Sequence, residues 1–189
     1  MKLSLIFLSI KNVPKTNWSS DTPLNFKPKL KTFILLCLGL SLFGFGESLL
    51  IHSTIGVSPW TVLAEGISLK LHWSVGFATF IVSVMVLSSW IFLKQKPGLG
   101  TLLNIIIIAG TIDLSLFLFD FSTNNLLLNV LTGILGVLFV GLGSGIYLIA
   151  NLGPGPRDGL MTGLQRITKF PIAWVRASIE ISVVILGWI

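Results

Sequence analysis

Five long apolar stretches divide the sequence, and they cover residues 33–51, 74–93, 101–121, 126–150 and 171–189. Each approaches or exceeds the roughly 20 residues that a helix needs to cross a hydrocarbon core about 30 Å thick. Lipid offers backbone groups no hydrogen-bond partners, and the stretches lack the period-two alternation of barrel strands. The pattern therefore predicts an all-α bundle with about five transmembrane helices.

Two shorter helices are predicted between these spans, after glycine- and proline-rich turns at residues 56–60 and 153–159. Ser58 can cap a helix, and Pro59 and Pro156 suit the first helical position. The helices that follow have about thirteen residues, or about 20 Å, and carry charged side chains, so they are too short and too polar to span. We expect them to be amphipathic and to lie on the membrane or re-enter it.

Composition supports a membrane protein, because 53% of the residues are hydrophobic and only 11% are charged. The net charge of +6 comes from residues in the N-terminal tail and between apolar stretches. A nucleic-acid surface would instead interleave them with stacking aromatics. We therefore expect a lipid bilayer as the partner and no nucleic acid, with homo-oligomerisation as a further option.

The basic residues also predict an orientation in the cell membrane. Those of the N-terminal tail, of residues 94–96 and of residues 157–169 all fall on one side of a five-span topology, whereas the other side has only Lys70. Short cytoplasmic loops retain positive charge during insertion, so the N-terminus is expected in the cytoplasm. Residues 1–31 are expected to form a disordered, Lys-rich extension before a single membrane domain at 32–189.

An internal repeat appears when the sequence is compared with itself at an offset of 97 residues. Five glycines of the first copy then meet glycines of the second, in the pairs Gly39/Gly136, Gly44/Gly141, Gly46/Gly143, Gly56/Gly153 and Gly66/Gly163. Composition alone gives roughly one match. The alternative explanation is that glycine-rich membrane helices resemble one another.

Duplication implies an inverted architecture. The first copy, at about 33–121, has three spans, and an odd number makes the second copy, at about 126–189, enter from the opposite side. The partner of the third span would begin after Ile189, so we expect a sixth helix to be missing, either by truncation or because the second copy is degenerate.

The two turns are the first candidate binding site. If the helices that follow dip inward, their N-termini present amide donors that can hold an anion or a substrate carboxylate. The alternative is a pair of capped interfacial helices that only join spans. The candidate substrate-binding residues are Ser58, Pro59, Trp60, Gly155, Pro156, Arg157 and Asp158.

Ionisable residues within the apolar stretches form the second candidate site: Glu47, Asp113, Arg176 and Glu180. Each costs about 2.5–3.5 kcal/mol at the centre of a membrane helix unless it is paired or hydrated. Arg176 and Glu180 lie one turn apart and can form a structural ion pair or take part in transport. Asp113 can meet Arg176, line a watery cavity or take up protons, and Glu47 can reach the membrane interface.

No catalytic set, phosphate loop or metal-spaced histidine cluster is visible, so neither an enzyme nor a cofactor nor a metal site is predicted. The single Cys37 excludes an intramolecular disulfide. A small secondary transporter or exporter is the first functional hypothesis. A non-transporting membrane scaffold or regulator of a partner pathway is the second, and a membrane-embedded enzyme is a distant third.

Several motifs resemble those of the YczE/YyaS/YitT-type multi-pass bacterial membrane proteins. They are the glycines of the first span, the turn at 56–60, the segment 98–104, the pair Ile112-Asp113 and the turn at 155–159. The resemblance covers most of residues 32–189. It implies a six-helix cell-membrane protein of largely uncharacterised activity, from which this chain departs by its Lys-rich extension and by lacking the last helix.

Overall fold

The computed structural model of the protein describes residues 14–119 and 124–189. Within these residues the chain forms seven helices and is all-α, as predicted. They are α1 (Leu30–Ser53), α2 (Pro59–Leu71), α3 (Val75–Leu93), α4 (Leu99–Leu118), α5 (Leu126–Ile149), α6 (Pro156–Thr168) and α7 (Ile172–Trp188).

Four helices of the described chain are long and apolar enough to cross a membrane, namely α1, α3, α4 and α5. They correspond to the first four predicted spans, although residues 120–123 at the end of the third apolar stretch lie outside the described residues. The fifth predicted span corresponds to α7, which has 17 residues and is the shortest of the apolar helices. The protein is thus a multi-span membrane protein that lies in a lipid bilayer.

Helices α1 and α5 form the central pair of the bundle. Helix α4 packs on α1 and α3, while the two short helices α2 and α6 each pack against both α3 and α7. The buried core lies where α1, α4 and α5 meet, and it includes Leu36, Leu40, Ile108, Ile112 and Tyr147. This arrangement leaves the first turns of α2 and α6 on the inner side of the bundle.

The α1–α5 contact depends on glycines at two levels. A Cβ atom at Gly46 would lie 2.8 Å from the Gly136 carbonyl oxygen, and one at Gly136 would lie 2.9 Å from that of Gly46. At the other level, a Cβ atom at Gly143 would lie 2.6 Å from the Gly39 carbonyl oxygen. Because any side chain there would overlap backbone, the two helices approach this closely only with glycine.

The short helices begin as their sequences predict, and each has 13 residues. The Ser58 hydroxyl caps α2 by accepting from the Thr61 amide at 3.3 Å. Pro59 and Pro156 occupy the first helical positions of α2 and α6. The indole of Trp90, which is 2% exposed, donates to the Pro156 carbonyl at 3.0 Å and so ties the start of α6 to α3.

Residues 14–29 precede α1 and contact the end of the bundle where α1 begins. The Ser20 amide donates to the Ala150 carbonyl at 3.0 Å, and the Asn151 side chain donates to the Ser20 carbonyl at 2.8 Å. The Thr32 hydroxyl also donates to the Trp18 carbonyl. These contacts differ from the disorder that composition predicts for this stretch, because buried backbone partners outweigh its polar character. Residues 1–13 lie outside the described residues, and the domain division stays a prediction.

Candidate functional site

A cavity of about 350 Å³, here called the central cavity, lies between the first turns of α2 and α6 and the spans around them. Its volume is within the range of small-molecule sites, about 300–1,000 Å³. Nine of the eleven predicted site residues line it: Glu47, Ser58, Pro59, Trp60, Gly155, Arg157, Asp158, Arg176 and Glu180. The structure therefore brings the two turns and three of the four intramembrane charges to one place.

Glu47 provides a buried carboxylate on the α1 side of the central cavity and is 2% exposed. One of its oxygens, Oε2, accepts from the Thr61 hydroxyl at 2.6 Å and from the Ser58 hydroxyl at 3.3 Å. The other oxygen has no hydrogen-bond donor among the described residues. Glu47 is thus held by the cap and first turn of α2, and its reach to the membrane interface stays a prediction.

Arg157 provides a guanidinium on the α6 side of the cavity. Its central carbon lies 5.1 Å from the centre of the Trp60 ring, a cation–π geometry. Within the described residues, this guanidinium donates no hydrogen bond to the protein and forms no ion pair. Its five N–H donors thus remain available to a ligand.

Asp158 and Tyr147 close the cavity beside Arg157. The Tyr147 hydroxyl donates to the Asp158 carboxylate at 2.5 Å, which ties the first turn of α6 to α5. Asp158 lies in that first turn, where its negative charge also complements the helix dipole. Its carboxylate is therefore committed to a structural contact that orients the start of α6.

Arg176 and Glu180 form an ion pair at the edge of the cavity. The Arg176 Nε atom lies 2.7 Å from a Glu180 carboxylate oxygen, so the predicted local pair is confirmed. The Arg176 side chain is 67% exposed and that of Glu180 is 32% exposed. Because each charge already has an opposite partner, the pair adds little net charge to the cavity.

Asp113 is not among the residues that line the central cavity. Its carboxylate accepts from the Ser74 hydroxyl at 2.5 Å and from the Gly76 amide at 2.7 Å. Ser74 is the N-cap of α3, so Asp113 extends the cap of that helix from the neighbouring α4. Of the alternatives for Asp113, the contact with Arg176 is not formed: Asp113 accepts from Ser74 and Gly76, and Arg176 pairs with Glu180.

Uncharged polar residues of the spans complete the cavity wall, and the sequence analysis did not select them. They are Thr79, Ser83, Asn104, Ser144 and Tyr147. Six pairs of lining residues stand 97 positions apart: Phe43/Val140, Glu47/Ser144, Ser58/Gly155, Trp60/Arg157, Thr79/Arg176 and Ser83/Glu180. Applying the repeat offset to the charged residues, rather than to the glycines alone, would have pointed to Thr79, Ser83 and Ser144.

A second, apolar cavity of about 650 Å³, here called the apolar groove, adjoins the first. Trp60 and Ile179 line both. The remaining wall comes mainly from aliphatic residues of α2, α3, α6 and α7, among them Leu63, Val82 and Leu160. A solute in the central cavity therefore has an apolar surface on one side.

Comparison with known proteins places the chain in a family. The sequence pattern described as "Family of unknown function (DUF6198)" matches residues 30–189, which include all seven helices. The chain belongs to the DUF6198 family. It is similar to an "Uncharacterized protein" of Haemophilus influenzae, with 38% identity over 180 residues that cover 95% of this chain and 81% of that protein.

Two proteins of Bacillus subtilis are also similar to this DUF6198 chain. The "Uncharacterized membrane protein YczE" is 30% identical over 152 residues, covering 79% of the chain and 70% of YczE. The "Uncharacterized protein YyaS" is 32% identical over 142 residues, covering 74% of the chain and 71% of YyaS. The expected relationship to YczE and YyaS is thus confirmed. No solved structure matches the chain.

Proposed function

We propose that this DUF6198 protein is a small secondary transporter, built as two inverted repeats, that binds a charged solute in the central cavity. The observation that carries the proposal is the placement of Glu47 and Arg157, one from each repeat, in a single cavity that both short helices enter. Charged groups within membrane domains are costly and most often mark solute or ion pathways.

The packing of α1 on α5 supports the inverted repeat. At the offset of 97, Gly39 corresponds to Gly136 and Gly46 corresponds to Gly143. The contact of Gly39 with Gly143 therefore becomes the contact of Gly136 with Gly46 when the two copies are exchanged, and both contacts are present. Likewise, α2 packs on α7 as α6 packs on α3. Similarity of composition alone does not account for contacts that exchange in this way.

The depth of the cavity also supports a transport site. Ser83 and Glu180 line the cavity, and each is the ninth residue of its helix, α3 or α7, so the cavity lies near the middle of both. Secondary transporters with inverted repeats commonly bind solutes near the midplane, where the N-termini of half-helices present positive dipole ends. In this proposal α2 and α6 are such half-helices, which re-enter the membrane from opposite faces.

The topology that follows has α7 as the fifth span and the N-terminus in the cytoplasm of the cell. An α7 of 17 residues, about 26 Å long, is at the lower limit for crossing a hydrocarbon core. The basic residues at positions 94–96 and in the last turn of α6 then share the cytoplasmic side with the N-terminal tail.

The proposal is tested by comparing exported and intracellular metabolites of cells that contain the wild-type protein, no protein, or a variant. Arg157→Gln removes the cavity guanidinium, and Arg166→Gln is its control because Arg166 is exposed on the same helix and does not line the cavity. We expect a metabolite difference that Arg157→Gln abolishes and Arg166→Gln retains. If the wild-type protein leaves the metabolite profile unchanged relative to cells without it, transport is refuted and the membrane scaffold or regulator is favoured.

A further inference from the structure

Glu47 and Arg157 face the central cavity with unused hydrogen-bonding capacity. No salt bridge joins them within the described residues. Of the other charged residues of the cavity, Arg176 and Glu180 pair with each other, and Asp158 accepts from the Tyr147 hydroxyl. The Oε1 atom of Glu47 receives no hydrogen bond there. The guanidinium of Arg157 donates none either; it contacts the Trp60 ring and is attracted by the nearby carboxylates of Glu47 and Asp158. Two opposite charges thus lie in one cavity without a hydrogen bond or an ion pair between them in the described residues.

Such a separated pair is costly away from water unless another group satisfies both members. A second carboxylate or a second guanidinium cannot do so, because it would complement one member and repel the other. A solute that carries both charges complements both: its carboxylate can accept two parallel hydrogen bonds from Arg157, and its ammonium group can donate to Glu47.

The apolar groove indicates what the rest of the solute resembles. Trp60 and Ile179 form the shared wall between the groove and the central cavity, so a solute held by both charges borders an apolar surface. Helix N-termini contribute further positive potential on the carboxylate side, since α6 begins at Pro156, next to Arg157.

We infer that the central cavity binds a small zwitterion with an apolar portion, with its carboxylate on Arg157, its ammonium group on Glu47 and its apolar part against Trp60 and Ile179. Apolar α-amino acids have this chemistry. The inference rests on the proposed function for its setting in a transporter, but the binding it describes is measured separately. Because Glu47 belongs to one proposed repeat and Arg157 to the other, the zwitterion would connect the two halves.

Three matched pools of probes test the inference on the purified full chain in detergent. The first contains L-leucine, L-valine and L-phenylalanine, the second contains the corresponding acids without the amino group, and the third contains the corresponding amines without the carboxylate. We expect the amino-acid pool to raise the midpoint of thermal unfolding and to bind at least tenfold more tightly, by calorimetry, than either other pool.

Two variants separate a binding role from a structural one. Glu47→Gln should weaken the binding of the amino-acid pool at least tenfold. It should leave or improve the binding of the acid pool, because Glu47 no longer repels the carboxylate of the acids. Arg157→Gln should weaken the amino-acid and acid pools but not the amine pool. A loss of folding alone would lower the binding of all three pools in parallel and would not change the order of their affinities.

The outcomes distinguish this inference from the proposed function. Equal binding of the acid and amino-acid pools to the wild-type protein overturns the zwitterion inference and leaves a transporter of simple anions. Absence of binding by every pool also overturns it, while the metabolite comparison still decides on transport. Binding of the amino-acid pool without any metabolite difference between cells supports the zwitterion site and refutes transport.

Discussion

Replacing Gly46 by alanine would place a methyl group against the backbone of α5. The new Cβ atom would lie 2.7 Å from the Val140 nitrogen and 2.8 Å from the Gly136 oxygen. Ordinary contacts begin at about 3.4 Å, so the helices must separate by about 0.7 Å, and neither neighbour is a side chain that can rotate away. Overpacking of this kind costs about 1–3 kcal/mol, and the better helix propensity of alanine returns at most about 1 kcal/mol.

Gly141→Ala is the matched control, because a Cβ atom there has no neighbour within 4 Å. Both substitutions add the same methyl group to a central helix of the bundle. For an overpacking cost near the middle of that range, about 2 kcal/mol, the net loss of stability is about 1–2 kcal/mol. We therefore expect Gly46→Ala to lower the midpoint of thermal unfolding in detergent by about 2–8 °C, at roughly 2–4 °C per kcal/mol. Gly141→Ala should leave it unchanged or raise it. Equal midpoints for the two variants would refute the packing argument for the α1–α5 contact.

Three further predictions concern the cap, the α6 anchor and the topology. Asp113→Ala should lower stability by about 0.5–2 kcal/mol, because the Ser74 hydroxyl and the Gly76 amide at the start of α3 lose their acceptor. It should leave solute affinity unchanged, and calorimetry that finds weaker binding would contradict this. Trp90→Phe leaves the Pro156 carbonyl without its indole donor and should cost about 1–3 kcal/mol in thermal unfolding, whereas an unchanged midpoint would argue against the anchor. In a Cys37→Ser background, Lys94→Cys should react with an impermeant thiol reagent only from the cytoplasmic side. Labelling from outside the cell would contradict the predicted orientation.

The helices could be predicted from sequence because lipid restricts the backbone to few solutions. The predicted stretch 74–93 became Val75–Leu93, and 126–150 became Leu126–Ile149. The first helix begins earlier than predicted, at Leu30, although Lys31 and Thr32 are polar. The Thr32 side chain is satisfied there by the Trp18 carbonyl, a contact that hydropathy does not reveal.

The partners of individual charges could not be predicted, because they depend on which helices lie side by side. Asp113 has no partner in its own helix, and only the packing of α4 beside the first turn of α3 assigns it to Ser74 and Gly76. The pair of Arg176 with Glu180 was predictable, since residues four apart on one helix face each other. Local spacing therefore identified the local contact and missed the one between helices.

The proposed duplication also explains why the site combines regular geometry with uneven chemistry. Trp60 and Arg157 are at equivalent positions and meet each other across the cavity, and Glu47 is equivalent to Ser144. In the proposed transporter, equivalent backbones would allow the two halves to pack in alternative, related arrangements, as alternating access requires. Different side chains at these positions, in contrast, give the cavity a carboxylate on Glu47 and a guanidinium on Arg157 that form no ion pair within the described residues. A solute with two identical ends could not match both. In this proposal, the glycines that match between the copies therefore determine how the two halves pack, whereas the positions that differ determine which solute the cavity binds.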